Sequence, residues 1–212
     1  MATRPTWAEV SLSQLAQNYR IIREQVGSER AIMAIVKADA YGHGLSEVAR
    51  ELSRAGTDWF GVASADEGVE LRQMGITQPI LLLTGFWEGE QTALTDYDLV
   101  PAIYSEDQLA TIEEWGRRMG RRIRFHLKVN TGMGMLGLHW QGVEPFLDLY
   151  RKMSYVEMEG LFEQFAAAED FSTAVFSIGA FLGMVVITNC TVTTRSEAVK
   201  RIASPWRGRG SI

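Results

Sequence analysis

The chain has 212 residues, 46% hydrophobic and 22% charged, enough for one domain with a sizeable core. A net charge of −5 gives no reason to expect nucleic acid as a partner. The single cysteine, Cys190, excludes an internal disulfide and fits a reducing, cytoplasmic compartment, and the N-terminus lacks the apolar run of a signal peptide.

Thr6 to Val10 reads as a short strand. Leu12, Leu15, Ala16, Tyr19 and Ile22 recur at helical spacing, which predicts a helix over roughly 13–25. A strand over 31–38 follows. Leu45, Val48, Ala49 and Leu52 mark the next helix, with Gly56 at its C′ position. Trp59 to Ala63 is a strand. Ser64 and Glu67 form a capping box that opens a helix ending at Gly75. Ile80 to Leu83 and Val100 to Tyr104 are strands. Ser105 and Gln108 open a helix that stops at Gly120. Arg122 to Asn130 is a strand followed by a glycine-rich loop. A helix over 143–153 and a strand from Val156 to Phe162 complete the regular part.

Strands alternate with helices throughout, which implies parallel strands joined by right-handed crossovers. No dinucleotide-type glycine fingerprint follows the first strand, so a nucleotide-binding sheet is disfavoured. The expected fold is a (β/α)8 TIM-type barrel, incomplete, with six recognisable strands near residues 31, 59, 80, 100, 123 and 157. Active sites on such barrels lie at the C-terminal ends of the strands.

Lys37 stands at one such end, in Ala34-Ile35-Val36-Lys37-Ala38-Asp39-Ala40-Tyr41-Gly42-His43-Gly44. A lysine at the end of a buried apolar strand is costly unless its desolvation is offset. Burial lowers a lysine's pKa, and a neutral amine can attack a carbonyl to form a Schiff base. The bland alternative is an ammonium that snorkels out at the strand end. Gly42 and Gly44 would let the backbone approach a ligand closely.

The nine residues Val36 to Gly44 resemble the pyridoxal-phosphate (PLP) lysine motif of the alanine racemases. The resemblance implies that Lys37 carries PLP and serves as one of two catalytic bases, and that Tyr41 helps to hold the phosphate. His43 reads as loop structure rather than a catalyst. A second stretch, His126-Leu127-Lys128-Val129-Asn130-Thr131-Gly132-Met133-Gly134-Met135-Leu136-Gly137, resembles the family pattern His-Leu-Lys-Val-Asp/Asn-Thr-Gly-Met-Gly-Arg-Leu-Gly. There the lysine, here Lys128, is often carbamylated and positions the arginine that contacts substrate carboxylate. The arginine position is Met135 here, and a thioether cannot offer a carboxylate the charge-assisted fork of a guanidinium. Glu159 to Ala166 resembles a third family strand, with Gln164 at a position usually held by histidine. The resemblance covers roughly residues 5–170.

Beyond residue 170 the chain changes character. Residues 171–212 hold five Lys/Arg and one acid, a net of +4, against 16 bases and 25 acids before them. Residues 171–194 carry no charge, and 14 of these 24 are apolar. A membrane span is the less favoured reading of that stretch, because β-branched and polar residues are frequent. Val185-Val186-Ile187 reads instead as one buried strand. The expected division is therefore a barrel part over 1–170 and a divergent, apolar then basic tail over 171–212, as a shortened or frame-shifted C-terminus would leave. The family segments that hold the phosphate and supply a second, tyrosine base have no match in that tail.

The function expected from the resemblance is PLP-dependent interconversion of L-alanine and D-alanine, an isomerase activity supplying D-alanine to the cell wall. It brings a small amino acid as substrate, no metal, no membrane partner and a homodimer. Two other readings stay open: a single-barrel PLP-binding protein without turnover, and an inactive remnant.

Overall fold

A computed structural model of the protein describes residues 8–164 together with the backbone of two strands, 185–187 and 190–194. Helix α1 (Leu12–Val26) is capped by Ser11, whose hydroxyl accepts from the Gln14 N–H. Strand β1 (Ile32–Ile35) is buried at every position. A single turn, α2 (Lys37–Gly42), joins it to α3 (Leu45–Ala55), which ends on Gly56 in the left-handed region. The alternation continues through β2 (Trp59–Val62), α4 (Ala65–Gln73), β3 (Ile80–Leu82), α5 (Gln91–Asp96), β4 (Leu99–Ile103), α6 (Glu106–Met119) and β5 (Ile123–Asn130). A two-residue strand β6 (Leu138–His139), a 3-10 turn over Trp140–Gly142 and α7 (Val143–Tyr150) lead to β7 (Val156–Gln164).

Strands β1, β2, β3, β4, β5 and β7 lie side by side in that order, all parallel. These are the six barrel strands that the sequence predicts. β8 (Val185–Ile187), the triplet read as a strand, runs parallel beside β1, a pairing that the sequence reading did not foresee. β9 (Cys190–Thr194) pairs antiparallel with β7, a departure from an all-parallel barrel. The rest of the tail, including most of the charge-free stretch, lies outside the described residues. Among the described residues no helix is long and apolar enough to cross a membrane.

The period-2 alternation of the strands sorts their side chains onto two faces. Ile32, Ala34, Val36, Phe60, Val62, Ile80, Leu82 and Leu99 pack outward against the helices. Met33, Ile35, Leu81, Leu83, Val100, Ala102 and Phe162 form the inner cluster. Gly61 leaves room there, since a Cβ at that position would meet Ile35 Cδ1 at 2.5 Å.

Two expectations need correction. Ala8 to Val10 are not in a strand; Thr6 and Trp7 lie outside the described residues. The strand expected over 31–38 stops at Ile35; Val36 N–H still donates to Gly61 O of β2, and the chain leaves the sheet at the turn that begins with Ala38. Ala38, Asp39, Ala40 and Tyr41 have φ between 52° and 56° and ψ between 38° and 55°, four consecutive residues in the left-handed helical region. L-residues there cost roughly 1–2 kcal/mol each. The turn is held by Ala40 N–H donating to Val36 O at 2.8 Å and Gly44 N–H donating to Asp39 O at 3.1 Å. Asp39 Oδ1 also accepts from Leu45 N–H at 2.7 Å, which anchors the turn to the start of α3.

Candidate active site at the C-terminal rim

The alternation of β1 brings Lys37 to the rim formed by the C-terminal strand ends. Its side chain is half-buried, so the strong desolvation expected from a strand interior is not met. The left-handed turn is the reason, since it lifts the chain out of the sheet at that residue. Tyr41, on the same turn, is 52% exposed. His43 Nδ1 lies 2.9 Å from Ala40 O and 3.2 Å from Tyr41 O, so the ring ties down the turn as loop structure. Gly42 has φ +79°, and nothing lies within 4 Å of where its Cβ would be.

Lys128 projects from β5 on the interior side and is 5% exposed. Its Nζ donates to Leu83 O at 3.4 Å and stands 5.6 Å from the centre of the Phe162 ring. Burial of an ammonium is offset there by a carbonyl dipole and an aromatic face. Asn130, at the end of the same strand, organises the glycine-rich loop. Its Oδ1 accepts from Gly132 N–H and Gly134 N–H, each at 3.1 Å. Gly137 has no alternative, because a Cβ would lie 2.8 Å from Asn130 N. The loop is therefore built around one side chain. Met135 sits on it, half exposed.

Below the rim, toward the N-terminal ends of β4 and β5, lies a polar cluster that the sequence reading did not single out. Arg124 bridges Asp98 at 2.8 Å and Glu159 at 3.0 Å. A bulge makes this possible. Phe125 pairs with Met158 and His126 with Gly160, so Glu159 is the extra residue. Glu159 Oε2 stands 3.8 Å from His126 Nε2, too far for a hydrogen bond. Burial pushes the His126 imidazole below its usual range, against the pull of Glu159. Burial raises the Glu159 carboxyl, but His126 and Arg124 outweigh it and hold it below the usual carboxylate range. The His126 ring tilts against Trp59 with centroids 5.1 Å apart, and Gly160 leaves space for it.

A chain of hydrogen bonds runs along the rim. Ala38 N–H donates to Glu67 Oε1 at 2.6 Å, and Ala63 N–H to Glu67 Oε2 at 2.7 Å. Thr84 Oγ1 donates to Ala63 O at 2.5 Å, and Tyr104 O–H to Thr84 O at 2.9 Å. This chain links the ends of β1, β2, β3 and β4. A separate cavity of about 550 Å³ opens between α1 and the turn α2, lined by Tyr19, Ala34, Tyr41 and His43. Lys37 does not line it, so it is not the site of amine chemistry.

Lys37, Tyr41, Lys128 and Met135 thus all fall at the C-terminal side of the strands, on β1, β5 and the segments that follow them. The class is a parallel (β/α) barrel that presents a half-buried amine at the end of its first strand. The family described as "Alanine racemase, N-terminal domain" matches residues 10–185. A curated alanine racemase of Geobacter sulfurreducens is 38% identical over 170 residues, covering 80% of this chain and 44% of that protein. One of Symbiobacterium thermophilum is 41% identical over 167 residues, covering 79% and 44%. The solved structure of an alanine racemase from Clostridium difficile 630 superposes with a TM-score of 0.71 at 34% identity, covering 80% of this chain and 45% of that one. The chain belongs to the alanine racemase N-terminal domain family. It spans about half the length of the curated relatives it matches.

Proposed function

We propose that this chain is the lysine-bearing barrel part of a PLP-dependent alanine racemase. The observation that carries this is Lys37, a half-buried amine at the end of the first barrel strand, within nine residues of the family's lysine motif. Lys37 supplies the amine for the cofactor, and the open space at Gly42 admits close approach. The part of Tyr41 toward the phosphate rests on the resemblance to the family motif, since its side chain lines the cavity beside α1. PLP, when bound, supplies the electron sink that makes the α-proton of an amino acid acidic.

The chain's own residues then have separable tasks. Lys37 binds the cofactor and removes or returns a proton on one face of the substrate's α-carbon. Tyr41 orients the cofactor through its phosphate. Lys128 serves as a structural cation. A carbamate would put negative charge against Leu83 O and the face of Phe162, both of which favour a cation. Met135 leaves the substrate carboxylate without the usual guanidinium on this loop. Racemisation needs a second base on the opposite face, and none is identified among the described residues.

Residues 1–170 are taken as the cofactor-binding part and 171–212 as a tail that lends it β8 and β9. A cytoplasmic location, L- and D-alanine as substrates, and a homodimer belong to the same proposal. PLP binding without turnover is the second reading, favoured by Met135. Chiral analysis of alanine after incubation with PLP separates the two. D-Alanine formed from L-alanine supports the racemase, and retained PLP without D-alanine supports the second.

A further inference from the structure

In a parallel ladder, backbone N–H groups of alternate residues donate to successive carbonyls of the neighbouring strand. Val36 N–H does so, donating to Gly61 O at 2.9 Å. By register the next donor is Ala38 N–H and the next acceptor Ala63 O. The left-handed turn removes Ala38 from that register, and Ala63 O is taken by the Thr84 hydroxyl. Ala38 N–H finds Glu67 Oε1 instead, at 2.6 Å. The other oxygen of the same carboxylate serves α4. It accepts from Ala63 N–H at 2.7 Å and Ser64 N–H at 3.4 Å, within the capping box. A helix-capping residue therefore replaces the missing rung of the sheet, and it does so at the peptide bond that follows Lys37.

We propose that Glu67 is a positioning residue for Lys37: its carboxylate fixes the Lys37–Ala38 peptide to the ends of β1 and β2 and so sets where the amine stands. The role rests on the reading of Lys37 as the cofactor lysine, but the contact itself can be tested without the cofactor. Glu67→Gln is the informative change. Two donors face Oε2 and one faces Oε1, so the single amide oxygen is expected at the helix cap. The amide nitrogen then meets Ala38 N–H, donor against donor. Ser64→Ala is the control, since it removes the other half of the capping box and leaves the reach to Ala38 intact.

The experiment measures amide hydrogen exchange at Ala38, PLP capture on Lys37 and thermal melting in both variants. E67Q is expected to speed exchange at Ala38 roughly ten- to a hundred-fold, the value of a charge-assisted hydrogen bond. It is also expected to weaken PLP capture on the order of tenfold. S64A is expected to lower the melting temperature and leave both other readouts unchanged. Equal behaviour of the two variants in all three measurements overturns the proposal. Absence of PLP capture in the unsubstituted chain refutes the cofactor reading alone, and exchange at Ala38 then decides the role of Glu67. Should E67Q not fold, exchange in the unsubstituted chain decides it: a slow Ala38 amide supports the contact, and one at the free rate overturns it.

Discussion

A glycine at position 160 and a histidine at 126 share one space. A Cβ on Gly160 would lie 2.7–3.0 Å from three atoms of the His126 ring. The ring is fully buried against Trp59 and has nowhere to retreat. Gly160→Ala is therefore expected to destabilise the fold by about 1–3 kcal/mol, the cost of overpacking. A urea titration checks this, with the midpoint lowered and the slope unchanged. Gly160 lies in the third stretch that resembles the family, yet nothing in the sequence ties it to His126. The tie comes from the bulge at Glu159, which no alternation pattern reveals. The polar residues at strand ends were legible because a lysine or asparagine beside a glycine-rich loop is conspicuous. Glu67 was legible only as half of a capping box. Its second task depends on where β1 comes to rest.

At the level of elements, the six barrel strands and most helices follow from hydrophobic periodicity and caps. α5 escaped because six residues give too short a window for a period. The turn α2 escaped for a stronger reason. Ala38-Asp39-Ala40-Tyr41 contains no glycine, and local propensity argues against four left-handed residues in a row. Bonds from Val36, Asp39 and Glu67 override that preference. Opposite outcomes for one substitution type follow. Ala38→Gly relieves left-handed strain and is expected to be neutral or to stabilise by up to about 1 kcal/mol, because lost chain entropy offsets part of the gain. Ala49→Gly, buried in the regular helix α3, is expected to cost about 1 kcal/mol or more. Paired denaturation curves decide the point, and a loss in both variants would contradict the left-handed assignment.

Over the whole molecule, buried His126 and partly buried Glu159 contribute to the response to acid. His126 is held neutral by burial, so its folded pKa lies below the unfolded value of 6.5. The folded state then binds fewer protons than the unfolded one, and stability falls as pH drops below about 6.5. Glu159 has a folded pKa below its unfolded value of 4.5, so its contribution is present above that pH and lost as pH falls through the folded pKa. Two successive losses are expected in melting temperature against pH. His126→Leu fills similar space without ring nitrogens, and it should remove the first loss and shrink the second, which then rests on Arg124 alone. An unchanged profile in that variant would place the first transition elsewhere.

The tail shows the same limit of local reading at larger scale. Val185 to Ile187 was legible as a strand from its β-branched residues, but its partner was not. Pairing with β1 joins residues about 150 apart in sequence, which no local signal encodes.

The central claim concerns Lys37, and the chain has only four lysines, Lys37, Lys128, Lys152 and Lys200. Borohydride reduction of the folded chain with PLP, followed by peptide mapping, tests that claim most directly. A pyridoxyl group on Lys37, absent from Lys128, is the expected result. Soluble, folded protein that carries no label, or carries it on another lysine, would contradict the assignment of Lys37 as the cofactor lysine.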